Sequence, residues 1–441
     1  MSACFACIAL DNSKLVAALP SLARASDASP ALQRWVVEAG LLVYASLLLL
    51  GGSLCERFGP RRLLLFGLAG FAGASLAGAM THSLYALIAT RALDGAATAC
   101  VTPATLATLK HTFDESERPR AIAIWTASFG IGAALGPLLA GLLVTHGGIT
   151  AVLLANLPPI ALCAWGTWRL VSADLPRHAV PLDWRGALLC LLGAACSLFA
   201  FLSGPSQGWG SAEVLVPGAL GALLLGTALV WLRRARHPLF DLSLFSGARF
   251  SRALLVILLG YFAFSGVSFV IAQHLQLGRA KAAFEAGLLT LPLPLSMLLG
   301  TLTAPNLMSR LGAERALGTS LTLGVLGAVG LAFASRGTAD WLLCLALMPF
   351  GAGCGSAFAN ATELTLGAVA PERAASAAAI SESAFEFGGV LGVAVLSTLL
   401  GASALAPEAL QLAGQRAFWA GALALLLAWS VAASLLVQRN P

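Results

Sequence analysis

Apolar runs of about 20 residues, each closed by Pro, Gly or a cluster of charge, recur along the whole 441-residue chain and limit its fold more than any other feature. An α-helix rises 1.5 Å per residue, so about 20 apolar residues cross the roughly 30 Å hydrocarbon core of a bilayer. The runs predict fourteen helices, near residues 1–22, 34–55, 62–81, 84–109, 121–145, 149–171, 185–204, 212–233, 251–275, 284–308, 315–335, 340–368, 374–401 and 416–437. The expected class is therefore an all-α membrane protein with little chain left for a folded domain outside the bilayer. Only 10% of the residues are charged and 58% are hydrophobic, whereas about a quarter of a soluble domain is charged.

The formal net charge of +6 marks no nucleic-acid surface, because Lys and Arg are scattered between apolar runs and form no basic face interleaved with aromatics. They crowd the loops on one side instead. Arg57, Arg61, Arg62, Lys110, Arg118, Arg120, Arg233, Arg234 and Arg236 belong to that side, while the opposite loops hold few, among them Arg279 and Lys281. By the positive-inside rule both termini are cytoplasmic. The first helix has ten residues before Asp11 and no charged leader, so it is expected to stay in the membrane rather than be cleaved as a signal peptide.

Eight of the nine cysteines fall inside apolar runs and Cys55 ends one, which implies no disulfide framework. Cys4 and Cys7 have the spacing of a redox or metal pair. No His or second pair accompanies them, helix packing accounts for both, and no metal site is expected.

The chain repeats itself. LCERFGPRR (Leu54 to Arg62) is echoed by LMSRLGAER (Leu307 to Arg315), and the same offset aligns Arg120 with Arg373, Ser128 with Ser381 and Gly136 with Gly389. Two parallel six-helix repeats follow, with two inserted helices between them, a six-plus-two-plus-six plan. The expected divisions are 1–171, 184–234 and 251–437.

In GSLCERFGPRR (Gly52 to Arg62), Gly52, Glu56, Arg57, Gly59, Arg61 and Arg62 make a compact loop. A Gly permits a tight reversal, and an acid can face a helix N-terminus while basic residues hold its neighbours. The segment resembles the loop between helices two and three of the major facilitator superfamily, where an Asp usually stands in place of Glu56. The resemblance implies a gating latch. GIGAALGPLLAG (Gly130 to Gly141) resembles that superfamily's antiporter motif at Gly132, Gly136, Pro137 and Gly141, with Ala140 in place of a Gly. Small residues at this spacing allow close backbone approach, expected here across the two halves.

LDNSKLVAALP (Leu10 to Pro20), WVVEAG (Trp35 to Gly40) and SESAFEFGGVLGVAV (Ser381 to Val395) resemble the fourteen-helix drug:proton antiporter branch, which includes exporters of quaternary ammonium compounds and dyes. DWRGALL, GPSQGW and RRARHPLFDLSLF resemble its inserted helices and the loop after them. The chain departs from the branch at Lys14, where an apolar residue is expected, and at Val16, where Asn is common; both are expected to face the cargo path.

Ionisable groups inside the membrane cost a few kcal/mol each, so each needs a partner or a hydrated cavity. Asp11 and Lys14 lie three apart on one helix face and could pair with each other as a structural bridge. Alternatively Asp11 carries the coupling proton, since burial and a nearby cation act on a carboxyl group in opposite senses and make its protonation depend on conformation. The family resemblance favours this role. Arg91 and Asp94 are likewise three apart, in RALDGAA, and resemble the superfamily's fourth-helix Arg motif with Asp94 where Gln is usual. They form either a static bridge or an Arg that tunes a neighbouring acid. Glu38 matches an acid tied to cargo recognition in the quaternary-ammonium exporters, or is simply hydrated near the outer mouth. Glu382 and Glu386, four apart on one face, match two further acids of those exporters. Glu285, Asp340 and Glu363 sit near helix ends, and His274 reads as interfacial. Trp35, Trp125, Phe264 and Phe385 either line an aromatic cargo pocket or pack a core.

The resemblance implies a proton-coupled multidrug exporter of the cell inner membrane, moving lipophilic cationic or zwitterionic small molecules outward as a monomer. The alternative is a dedicated exporter of a metabolite or organic anion that uses Lys14. Its partners are a small-molecule cargo, protons and the lipid bilayer. No cofactor is implied, and no GxxxxGK[ST] phosphate loop is present to support ATP hydrolysis.

Overall fold

The computed structural model describes residues 1–25, 30–81, 83–172, 182–279, 281, 283–334, 337–400 and 407–437. The described residues are helical almost throughout. In chain order the helices are α1 (Ser2–Ala25), α2 (Pro30–Phe58), α3 (Pro60–Met80), α4 (Leu84–Thr112), α5 (Arg118–Leu154), α6 (Leu157–Leu170), α7 (Trp184–Gln207), α8 (Ala212–Arg234), α9 (Ala248–Gln273), α10 (Ala283–Thr290), α11 (Pro292–Leu311), α12 (Ala313–Ala332), α13 (Asp340–Gly367), α14 (Ala374–Leu400) and α15 (Pro407–Val437).

Where fourteen spans are expected, twelve segments among the described residues are long and apolar enough to cross a membrane. One difference lies at α5 and α6, which form a single 53-residue segment, Arg118–Leu170. The helix leaves helical geometry only at Gly147 (φ −160°, ψ 16°) and Gly148 (φ 62°, ψ −154°) and resumes at once. Gly148 can take that backbone because it has no Cβ to clash. The other difference is α1, whose side chains are described only through Ala18. A third departure leaves the count unchanged: the run expected over 284–308 divides into α10 and α11 at Leu291, which keeps helical dihedrals (φ −52°, ψ −36°), and Pro292, with no N–H to donate, takes the first position of α11.

The chain divides into two compact units, one of Met1–Cys196, Leu220–Leu242 and Val369–Ser383, the other of Ser197–Ala219, Ser243–Ala368 and Ala384–Pro441. In the first, α1 packs along α5, α2 along α4, and α3 against α4 and α6. In the second, α11 packs along α13, and α12 against α13 and α15, which is the same order of pairing shifted by the sequence repeat. The repeat also holds at the level of single dihedrals. Gly59 (φ 84°, ψ 149°) starts α3 and Gly312 (φ 80°, ψ 159°) starts α12, both in a region of backbone space open essentially to Gly alone.

Large apolar side chains line the outside of the helices. Phe66, Leu138 and Leu170 are 70%, 72% and 84% exposed, far too much apolar surface for water and the surface expected against lipid.

Candidate functional site

The charged residues of α1 and α4 meet in one buried cluster inside the first unit. Arg91 and Asp94 stand three apart on α4, so both project from one face. Helix α2 can approach that face closely because Gly95 and Gly40 oppose each other: a Cβ on Gly95 would overlap the Gly40 carbonyl oxygen, and one on Gly40 would stand 3.1 Å from the Arg91 carbonyl oxygen. Asp11 and Lys14 come from α1, again three apart. Asp11, Lys14, Arg91 and Asp94 are 2%, 0%, 3% and 4% exposed.

Arg91 joins the two acids. Its Nη1 lies 2.8 Å from Asp11 Oδ2 and 3.2 Å from Asp94 Oδ2, while Nη2 donates to Asn12 Oδ1 at 3.4 Å. Asp94 Oδ1 and Arg91 Nε are buried with no hydrogen-bond partner in the structure, and Asp11 Oδ2 meets Arg91 through the ion pair alone. Leaving a buried polar atom unmatched costs about 1–3 kcal/mol, more when it is charged, so the cluster holds three atoms with capacity to spare.

Asp11 and Lys14 do not pair with each other in this arrangement. Asn156 stands between them. Its Oδ1 accepts from Lys14 Nζ at 2.6 Å, and its Nδ2 donates to Asp11 Oδ1 at 2.5 Å and to Ser75 Oγ at 3.1 Å. An ammonium can only donate and a carboxylate can only accept, so the amide has one workable orientation. Asn156 occupies the N-cap of α6 but makes no side-chain cap bond there. Asn is a favoured capping residue, and here its amide is turned to the cluster instead. Lys14 Nζ also donates to the Val152 carbonyl at 3.0 Å, a group placed by the short stretch of helix after the Gly147–Gly148 break.

Lys14, expected on a cargo path, is buried among α1, α5 and α6, and Val16, expected beside it, is 52% exposed. The residues that sequence reading missed are Asn156 and Ser75. Asn156 carried a signal: it is a lone amide in an apolar run, immediately before Leu157 and two prolines.

The Gly52–Arg62 loop has the geometry the sequence suggested for an acid and a helix end. Glu56 Oε1 accepts from the Ser376 backbone N–H at 3.0 Å, in the first turn of α14, where the helix dipole favours negative charge. Gly52 makes room for that helix, since a Cβ there would stand 2.6 Å from Ala379 Cβ. Arg61 Nη2 donates to the Trp168 carbonyl at 2.6 Å, Arg57 lies over the Phe58 ring, and Arg62 is exposed.

In α5, Gly132 and Gly136 press on α1 inside the first unit. A Cβ on Gly132 would overlap the Ala6 carbonyl oxygen, and one on Gly136 would lie 2.5 Å from Ser13 Cβ and 2.8 Å from Lys14 N. Pro137 is exposed and Gly141 has open space around it, so neither is held by packing.

The remaining expected residues lie on other elements. Glu38 is half-buried on α2, Glu382 is buried and Glu386 half-buried on α14. Asp340 pairs with Arg279 at 3.0 Å and Lys281 at 2.8 Å rather than being merely hydrated. His274, at the end of α9, is buried and accepts from Arg279 Nε at 3.3 Å. Trp125 stacks on Phe5 with ring centroids 3.8 Å apart and planes 5° apart. In the second unit Phe264 and Phe385 join a cluster with Tyr261 and Phe358, with centroids 5.2–5.8 Å apart.

These helices, the repeat and the paired loops define a polytopic membrane transporter. The model of the Major Facilitator Superfamily matches residues 1–393, and the chain belongs to that family. It is 31% identical over 400 residues to the methyl viologen resistance protein SmvA of Salmonella typhimurium, covering 90% of this chain and 80% of that protein. It is 32% identical over 396 residues to the multidrug efflux pump LfrA of Mycolicibacterium smegmatis, covering 89% and 78%. With the tetracenomycin C resistance and export protein of Streptomyces glaucescens it shares 30% over 397 residues, 89% and 73% of the two chains. Among solved structures, the human organic anion transporter MFSD10 matches with a TM-score of 0.69 at 18% identity over 98% of both chains, a likeness of fold.

Proposed function

We propose that the protein is a proton-coupled exporter of lipophilic cationic or zwitterionic compounds. The buried Asp11–Arg91–Asp94 cluster carries the reading. Two carboxyl groups share one guanidinium, each with an oxygen lacking a hydrogen-bond partner. Arg91 does not give up its proton at cellular pH, so Asp11 and Asp94 are the groups that take up and release protons, and Arg91 sets how readily they do so. Relatives named for methyl viologen resistance and multidrug efflux support a cationic, lipophilic cargo. Glu38, Glu382 and Glu386 supply the negative charge that recognises it.

The wider reading is a fourteen-crossing, six-plus-two-plus-six transporter of the inner membrane, monomeric, with both termini cytoplasmic and repeats at 1–171 and 251–437 flanking the inserted 184–234. At 1.5 Å per residue the Arg118–Leu170 segment is about 80 Å long, more than twice the hydrocarbon core, so it crosses twice with the Gly147–Gly148 break as its turn. The 24-residue α1 supplies the fourteenth crossing. Glu56 on the N-terminus of α14 acts as a latch that transport must open, and Gly132 and Gly136 hold α1 against α5. The alternative, an organic-anion exporter with Lys14 as the carboxylate contact, is disfavoured by the complete burial of Lys14.

The experiment is reconstitution in liposomes with an imposed pH gradient and a fluorescent cationic dye as cargo. Wild-type protein accumulates dye against its gradient and Asp11→Asn does not. Normal uphill transport by Asp11→Asn would remove Asp11 as a proton carrier, and movement of organic acids but no cation would reverse the choice of cargo.

A further inference from the structure

Two helices that flank the charge cluster also share a pair of thiols outside it. Cys7 on α1 and Cys163 on α6 have their Sγ atoms 3.9 Å apart, both side chains buried, although 156 residues separate them in sequence. Cys4, one turn before Cys7, adds a third thiol, and Cys163 engages both. All nine cysteines of the chain are free.

The thiols are reachable. Cys4, Cys7 and Cys163 line a cavity of about 680 Å³ inside the first unit, a volume suited to a small organic ligand. Leu162 and Leu170 line it too, and they are 69% and 84% exposed, so part of its wall belongs to the outward apolar face of α6, the side that suits a lipophilic ligand. Among the described residues no group of three His, Cys, Asp or Glu side chains is arranged to hold a metal ion. The geometry offers two sulfurs to one atom instead.

We propose that Cys7 and Cys163 form a dithiol site for lipophilic trivalent arsenicals. In the reaction an organoarsenic(III) oxide loses its oxygen: two As–S bonds form, the As–O bond breaks, and the oxygen departs as water with the two thiol protons. Arsenic stays trivalent and no oxidant is required. Thiolates are soft ligands, which suits them to such a centre. The adduct ties α1 to α6. Cys7 lies one turn before Asp11, and Cys163 two turns beyond Asn156, so the tie closes the same seam that the Asp11–Asn156 hydrogen bond closes.

The test treats purified full-length protein with phenylarsine oxide, washes with an excess of a monothiol and measures intact mass. Wild-type protein is expected to keep one arsenical through the monothiol wash and to lose it to a dithiol. Cys7→Ser and Cys163→Ser should each lose it in the monothiol. Alkylation mapping on the wild type gives a second reading that needs no variant: Cys7 and Cys163 become protected while Cys55, Cys190 and Cys354 react as before after denaturation. Absence of a monothiol-resistant adduct, or its persistence in both serine variants, or protection of a different pair, overturns the proposal. None of these readouts depends on what the protein transports.

Discussion

Asn156 Nδ2 donates to Asp11 Oδ1 at 2.5 Å across 145 residues of sequence, and the same amide accepts from Lys14 at 2.6 Å. One uncharged side chain thus holds an acid and a base from α1 in a fixed relation without letting them touch. The amide orders the cluster, while Arg91 balances its charge.

Removing that amide should be felt in both stability and coupling. Asn156→Ala leaves Lys14 Nζ with Val152 O alone and strips Asp11 Oδ1 of its donor, a loss of about 1–3 kcal/mol by the cost of unmatched buried polar atoms. A lowered unfolding temperature in detergent, together with dye transport that responds weakly to the pH gradient, is the expected pair of results. Ser75→Ala, which removes only the 3.1 Å contact, should do less.

Lys14→Met distinguishes a structural cation from a cargo contact. Removing the Lys14 ammonium leaves Asn156 Oδ1 and the Val152 carbonyl without their donor, at about 1–3 kcal/mol for an unmatched buried polar atom, and Met fills much of the lost volume. The variant is expected to be less stable yet to keep its order of preference among cargoes, measured by competition with a dye. A change in that order, with stability intact, would place Lys14 on the cargo path after all.

Gly136→Leu should arrest transport while the protein still inserts. Even a Cβ at that position stands 2.5 Å from Ser13 and 2.8 Å from the Lys14 backbone nitrogen. Overpacking costs about 1–3 kcal/mol, and here it pushes α1 and its acid away from Arg91. Gly141→Leu, into open space, is the matched control and should transport normally.

Glu56→Gln keeps a hydrogen bond to the Ser376 N–H but loses the charge at the start of α14. Charge at a helix N-terminus contributes about 0.3–1 kcal/mol. The expected outcome is a modest change in transport rate with little change in cargo preference. Glu56→Ala, which loses both, should change the rate more.

Much of the helix order and the chemistry of the cluster could be read from the sequence, because about 20 apolar residues in a row and a charge within them have few physical solutions. The spacing of Asp11 with Lys14 and of Arg91 with Asp94 put each pair on one helix face. What spacing could not supply was the partner across helices. The two pairs meet through Arg91 and Asp11, and Asp11 is bridged to Lys14 by Asn156, which looked like an ordinary polar residue beside two prolines. The turn at Gly147–Gly148 was likewise blurred, since apolar residues on both sides of a glycine break leave hydropathy unchanged. Gly132 and Gly136 were legible as a close-packing stripe, but the stripe does not say which helix it meets, and that helix is α1.

The two loops that share a Gly-only backbone, at Gly59 and Gly312, differ in what they carry. Where the first has Glu56 the second has Ser309, and where the first has Arg61 the second has Glu314, which pairs with Arg249 at 3.2 Å. The two loops keep one backbone shape and repeat Arg57, Gly59 and Arg62 as Arg310, Gly312 and Arg315, while the chemistry at the other positions differs. The protein is consequently asymmetric where its architecture is symmetric: the first loop binds a helix N-terminus through a side-chain carboxylate and the second has no acid at that place. A mutation such as Gly59→Ala therefore threatens a hinge that the other half has no means to replace.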